Sequence, residues 1–131
     1  PLYSSAASDV YKRQHKGISG DAVIQKIGKI YVMFYFGAFW PDQDAAAFNR
    51  FACSYDLVNW TDWNGPNLIE PSEEYDGLFA HKSCVIKHND IVYHFYNAVD
   101  KKGNRGIALA TSKDLGNSKL IFISKKESAV K

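Results

Sequence analysis

Residues 22–36 read AVIQKIGKIYVMFYF, and this segment decides the fold class of the chain. It joins a short apolar stretch, residues 22–26, to an aromatic stretch, residues 30–36, through Ile27-Gly28-Lys29. Glycine suits tight hairpin turns, and aromatic and β-branched side chains favour half-buried strands. The segment therefore predicts a β-hairpin, and because no part of the chain has a sustained helical periodicity, the pattern indicates an all-β protein.

The same features occur a second time about sixty residues later in the chain. The motif A-x-S-x-D-L begins at Ala52 and again at Ala110, and Asn49-Arg50 has a counterpart in Asn104-Arg105. Val23, Ile24 and Tyr31 match Val85, Ile86 and Tyr93, 62 residues further on. Each copy predicts four strands. They are residues 22–26, 30–36, 50–54 and 60–63 in the first copy and 84–87, 91–98, 106–111 and 119–123 in the second.

Repeated four-stranded antiparallel sheets are typical of the blades of a β-propeller. The sequence predicts about two blades, blade 1 near residues 18–66 and blade 2 near residues 78–124, within a partial domain of residues 15–131. Propeller rings need about four to eight blades, so we expect the missing blades to belong to a longer chain. A free-standing β-sandwich or barrel is the alternative.

The two ends of the chain support this expectation. Residues 1–14 resemble a translated sequencing adaptor and are left out of the fold argument. The last seven residues are charged and have no periodicity, so we expect a chain truncated at both ends. Open sheet edges and apolar faces promote aggregation, and we expect the isolated chain to be inactive and poorly soluble.

The composition excludes several classes of protein. Apolar residues make up 46% and charged residues 23% of the chain, as in ordinary globular domains. The formal charge of +2 comes from scattered basic residues, which argues against a nucleic-acid partner. The longest apolar stretch, residues 30–40, is too short for a membrane helix, which needs about 20 residues. The two cysteines and four histidines have no ligand spacing, so we predict no metal site and no cofactor.

The stretch from Gly20 to Tyr35 resembles the first blade of the five-bladed propeller glycosidases around glycoside hydrolase families 43 and 32. Asp21, Gly28 and Tyr31 match family 43 at the same spacing, and the paired A-x-S-x-D-L motifs are similar too, so the resemblance covers about residues 18–122. It implies a glycoside hydrolase acting on poly- or oligosaccharides, with Asp21 as the catalytic carboxylate. That carboxylate is a general base in an inverting enzyme and a nucleophile in a retaining one.

The chain departs from family 43 in two places. Ala22 replaces the usual proline, and the second blade lacks the family's aspartate, since residues 80–84 read AHKSC. The family's general acid lies in a third blade, and Asp76, on an acidic loop before the second blade, is a substitute candidate. The structural alternatives are a turn-capping role for Asp21 and a solvated loop around Asp76.

Five further residues are predicted to bind the carbohydrate. His81 and Lys82 suit a substrate carboxylate or sugar hydroxyls, Phe39 and Trp40 suit stacking on a sugar ring, and Arg50 suits hydroxyls or a carboxylate. Two other functions remain open on the same fold. They are a glycoside phosphorylase and a non-catalytic carbohydrate-binding propeller. A secreted or periplasmic full-length protein is compatible with the sequence.

Overall fold

The structure, a computed structural model, describes residues 17–116 of the chain. These residues form two antiparallel sheets, of four and three strands. The strands are β1 (Ile18–Ile27), β2 (Ile30–Ala38), β3 (Ala47–Ser54), β4 (Thr61–Asp62), β5 (Phe79–His88), β6 (Ile91–Val99) and β7 (Arg105–Thr111). The predicted all-β class is confirmed, and each sheet has the up-and-down order expected of a propeller blade. The adaptor-like segment and the strand expected at residues 119–123 lie outside the described residues.

The two hairpins form at the predicted turns. Ile27 pairs with Ile30 across Gly28-Lys29, and His88 pairs with Ile91 across the next such turn. Gly28 has a φ of 62°, which costs little without a side chain. In the second hairpin Asn89 and Asp90 have φ values of 47° and 57°, a left-handed pair that matches the twist of a two-residue hairpin.

The strand register corrects the sequence-based alignment of the two copies by one residue. Val23 pairs with Phe34, and Cys84, 61 residues after Val23, pairs with Phe95. The predicted match of Val23 with Val85 is therefore wrong. Because side chains alternate across a strand, this slip would place equivalent residues on opposite faces of the sheet. The 58-residue match of A-x-S-x-D-L is confirmed, since β3 and β7 pair with their neighbours in the same register.

The second sheet packs with one face on the first, and β5 contacts β1, β2 and β3. An apolar cluster between the sheets contains Val32, Phe34 and Val85, with Phe51 and Val92 at its border. A second cluster fills the opposite face of the first sheet. It contains Met33, Tyr35, Trp40, Phe48 and Ala52. The first sheet is thus covered on both faces.

A buried series of hydrogen bonds also joins the two sheets. The Asn49 amide nitrogen donates to the Ala80 carbonyl at 3.1 Å, so its oxygen accepts from Ser83 Oγ at 2.7 Å. The Ser83 hydroxyl proton is then used, and its oxygen accepts from His94 Nε2 at 2.9 Å. This pattern fixes His94 as the tautomer that carries its proton on Nε2. All three side chains of the series are buried, and each is paired, as buried polar groups in folded proteins generally are.

The other face of the second sheet is open within the described residues. Ile86, Leu109 and Ile107 lie on it, and Ile107 is 78% exposed. The equivalent positions of the first sheet are Gln25, Phe51 and Asn49, and all three side chains contact or border the second sheet. Within residues 17–116, the second sheet therefore leaves exposed the surface that the first sheet buries.

Candidate active site at two equivalent bulges

The candidate site lies where β1 and β5 are interrupted by bulges. The register of β1 shifts between Gly20 and Val23, and that of β5 shifts between His81 and Cys84. The first bulge residue is Asp21 in β1 and Lys82 in β5, and both have a left-handed backbone, with φ values of 48° and 61°. Such φ values are costly for residues with a side chain and recur at functional sites. A bulge also redirects the side chain that it carries.

The two bulge residues form an ion pair between the sheets. Lys82 Nζ lies 3.0 Å from Asp21 Oδ2, and the side chains are 49% and 51% exposed. A half-exposed ion pair adds at most about 1 kcal/mol to the stability of a protein. The structure thus brings Asp21 and Lys82 together at a solvent-accessible point, as a site for a soluble ligand requires.

His81 stands beside this pair among aromatic rings. Its imidazole packs edge-on against Phe36 and Phe79, with ring centres 5.7 and 5.5 Å away. Burial lowers the pKa of His81 from its usual 6.5, and the charges of Lys82 and Arg105 lower it further. His81 is therefore neutral near pH 7. Its buried Nδ1 makes no hydrogen bond within residues 17–116.

Phe39 and Trp40 are adjacent in sequence but have different surroundings. Phe39 is 60% exposed and lies edge-on to Phe79, with ring centres 6.1 Å apart. It has the open ring face that stacking on a sugar needs. Trp40 is 3% exposed, donates from Nε1 to the Ile18 carbonyl at 3.0 Å and packs against Phe48. These contacts favour a role in the core for Trp40.

Arg50 also lies in the core of the first sheet. Its guanidinium donates to the Trp63 carbonyl and to Asn67 Oδ1 and lies 5.7 Å from the Trp40 ring centre. It makes none of its contacts with the two bulge residues. Arg105 is not its structural equivalent, because Arg50 pairs with Tyr35 in the middle of β2 and Arg105 pairs with Val99 at the end of β6. The repeated Asn-Arg dipeptide is therefore coincidental.

Asp76 is completely buried and has both carboxylate oxygens occupied. Oδ1 accepts from the backbone nitrogens of Ser72 and Glu73, and Oδ2 accepts from the Tyr96 hydroxyl at 2.9 Å. Burial and this hydrogen bond raise the pKa of Tyr96. The hydrogen bonds of Asp76 go to Ser72, Glu73 and Tyr96 and not to Asp21. Its surroundings favour a structural role, in which it holds the loop before β5 against the second sheet.

We expect Tyr96→Phe to lower the free energy of unfolding by about 1–3 kcal/mol, since it leaves one oxygen of the buried Asp76 carboxylate without its donor. Urea unfolding of the two proteins measures the difference. Tyr93→Phe is the matched control, because the Tyr93 hydroxyl makes no hydrogen bond in the described part of the chain. Equal stabilities of Tyr96→Phe and the parent protein would contradict the structural role of Asp76.

The A-x-S-x-D-L motif forms a turn at the end of β3. Ser54 Oγ accepts from the backbone nitrogens of Asp56 and Leu57, and Asp56 Oδ1 accepts from those of Val58 and Asn59. Hydrogen bonds from Asn59 lower the pKa of Asp56. Serine and aspartate cap turns in this way. The motif therefore repeats because it shapes the chain, and it supplies no group to the candidate site.

Sequence reasoning did not find the bulges or the contribution of Phe36 and Phe79. The signal was present in the repeat. With the 61-residue spacing, Asp21 aligns with Lys82, and two charged residues interrupt equivalent apolar strands.

Residues 17–116 hold no group of three His, Cys, Asp or Glu side chains that suits a metal ion. None of these residues forms a helix with the length and apolarity that a membrane crossing requires.

Comparison of the sequence with protein-family models and with curated proteins gives no match. Solved structures do match, and among them are one named as a BT0996 RGII complex and one named "Glycoside hydrolase". Each is 61% identical to the chain, with a TM-score of 0.76. This chain resembles part of a glycoside hydrolase. The match covers 84% of the chain but 31% of each solved structure, so the chain spans about a third of the length of the proteins that it resembles.

Proposed function

We propose that the complete protein containing this chain is a glycoside hydrolase that acts on poly- or oligosaccharides, with Asp21 as a catalytic carboxylate. The observation that carries the proposal is the exposed carboxylate at a left-handed bulge, in a chain 61% identical to part of a glycoside hydrolase. Side chains that are held at backbone strain and open to solvent are typical of functional sites.

The surroundings of Asp21 suit the reaction. Hydrolysis of a glycosidic bond needs one carboxylate at the anomeric carbon and one acid at the leaving oxygen. In the proposal Asp21 either removes a proton from the attacking water or attacks the anomeric carbon itself. The exposed ring of Phe39 offers a flat apolar surface for a sugar. The acid comes from a part of the longer protein beyond residues 17–116.

We further propose that the two sheets are about two blades of a five-bladed propeller. The open apolar face of the second sheet supports this, because the equivalent face of the first sheet is covered by the next repeat. One similar structure has RGII in its name, and we propose that the protein described here binds a carbohydrate of a related kind.

The experiment is an assay of the complete protein with oligosaccharides and aryl glycosides, with and without inorganic phosphate. Release of free sugar without phosphate supports hydrolysis. A sugar phosphate that forms only when phosphate is present would overturn the proposed hydrolysis and identify the protein as a phosphorylase. Saturable oligosaccharide binding in calorimetry, without any product, would overturn the proposed catalysis and identify a carbohydrate-binding protein.

A further inference from the structure

Lys82 occupies in the second sheet the position that Asp21 occupies in the first. The two residues are 61 positions apart, like the other equivalent pairs on these hairpins, and both are the first residue of a bulge. Both also have the left-handed backbone that favours glycine, asparagine or aspartate over lysine. Lys82 therefore keeps a costly conformation at a position where sequence preference alone would select another residue.

We propose that Lys82 is a positioning residue, which holds Oδ2 of the Asp21 carboxylate so that the other oxygen, Oδ1, faces the reacting group. This inference rests on the proposed function. Lys82 Nζ binds Oδ2 at 3.0 Å, and Oδ1 accepts no hydrogen bond within the described residues. A carboxylate held by one oxygen keeps its second oxygen for a water molecule or an anomeric carbon.

Fold stability does not explain the pair. Both side chains are about half exposed, and pairs of this kind contribute at most about 1 kcal/mol. Lys87 and Asp90 show what an ordinary surface pair looks like here, with 3.2 Å between Nζ and Oδ1 of two residues three positions apart on one hairpin. The Lys82–Asp21 pair instead joins two sheets through two strained positions. Such strain persists only where the surroundings impose it.

The pair also distinguishes positioning from direct substrate binding. His81, the neighbour of Lys82, is buried between Phe36 and Phe79. The ammonium group of Lys82 is directed at Asp21. Its positive charge is therefore already balanced by the Asp21 carboxylate and is not left for a carboxylate of the substrate. Loss of Lys82 should therefore change the rate of the chemical step and not the binding of the substrate.

The test measures kcat and KM of the complete protein with Lys82→Met, Lys82→Arg, Lys87→Met and Asp21→Asn. We expect Lys82→Met to lower kcat by about tenfold to a hundredfold with KM unchanged, because a misdirected carboxylate loses its alignment. Lys82→Arg should recover most of the rate, since its guanidinium can still bind Oδ2. Lys87→Met, which removes an ordinary surface pair, should match the parent protein.

The double variant Asp21→Asn with Lys82→Met separates positioning from misfolding. If Lys82 acts through Asp21, the second substitution adds nothing to the loss caused by the first. A Lys82→Met protein with a raised KM and a normal kcat would make Lys82 a substrate ligand and overturn the inference alone. An active Asp21→Asn protein, or a parent protein without glycosidase activity, would overturn the proposed function and the inference with it.

Discussion

Replacement of Asp21 by asparagine in the complete protein should lower kcat by about a hundredfold to ten-thousandfold, the usual contribution of a positioned catalytic base. The carboxamide has nearly the shape of the carboxylate, but it neither accepts the proton of an attacking water nor forms a covalent bond to the anomeric carbon. Asp21 is half exposed, so loss of its ion pair with Lys82 should change the free energy of unfolding by less than about 1 kcal/mol.

Two other aspartates provide controls for this prediction. Asp90→Asn removes an exposed carboxylate that pairs with Lys87, and we expect its kcat to equal that of the parent protein. Asp76→Asn changes the buried carboxylate bound by Tyr96, and we expect lower stability with normal kcat at temperatures where the variant is folded. Initial rates with an aryl glycoside measure all three variants. A normal rate for Asp21→Asn would contradict the catalytic role of Asp21. A lost rate for folded Asp76→Asn would contradict the structural role of Asp76.

Acid should weaken the contact between the two sheets through His94. The side chain is 4% exposed, and burial lowers its pKa from 6.5 to about 4. As the pH falls, the His94 imidazole is therefore protonated near pH 6.5 in the unfolded chain but only near pH 4 in the folded chain. Stability from this group is complete above pH 6.5 and is lost as the pH falls to 4. The free energy of unfolding falls by about 3 kcal/mol in total, because each unit of difference between the folded and unfolded pKa values corresponds to about 1.4 kcal/mol.

Urea unfolding at several pH values between 7.5 and 4 measures this loss. His94→Gln keeps a hydrogen-bond donor for Ser83 without a titrating ring, and we expect a weaker dependence of its stability on pH. Some dependence should remain, because burial and nearby cations also lower the pKa of His81. His88→Gln, at the exposed end of β5, is the matched control and should behave like the parent protein. A His94→Gln protein with the parent's pH dependence would contradict the prediction.

Much of the fold was predictable because its local signals are strong. Glycine in the first turn and Asn-Asp in the second define the two hairpins, and the aromatic strands follow at once. The register of the repeat was mispredicted because the alignment matched Val23 and Tyr31 by residue identity, although apolar residues exchange freely within a sheet. The turn residues Gly28 and Asn89, where backbone geometry restricts the choice of residue, carry the correct 61-residue spacing.

The site was less predictable, because exposure depends on packing between distant segments. Phe39 and Trp40 are neighbours of the same chemical type, yet Trp40 is buried through contacts with distant residues that include Ile18, Phe48 and Arg50. The acidic loop suggested a solvated or catalytic Asp76, and the Tyr96 hydroxyl that binds it lies on β6, 20 residues away. The pairing of Asp21 with Lys82 required the packing of one sheet on the other, which no local pattern determines.

The buried Asn49 has a consequence for how the sheets of such a protein find their neighbours. The face of the first sheet requires a partner with a hydroxyl and a carbonyl, supplied by Ser83 and Ala80, because an unpaired buried amide costs about 1–3 kcal/mol for each lost bond. The corresponding place on the second sheet is Ile107, which requires only apolar surface. Repeats with identical faces can stack without limit. Asn49 therefore makes this face of the first sheet specific for a sheet that carries a hydroxyl at the position of Ser83, and a second copy of the first sheet has Ala22 there.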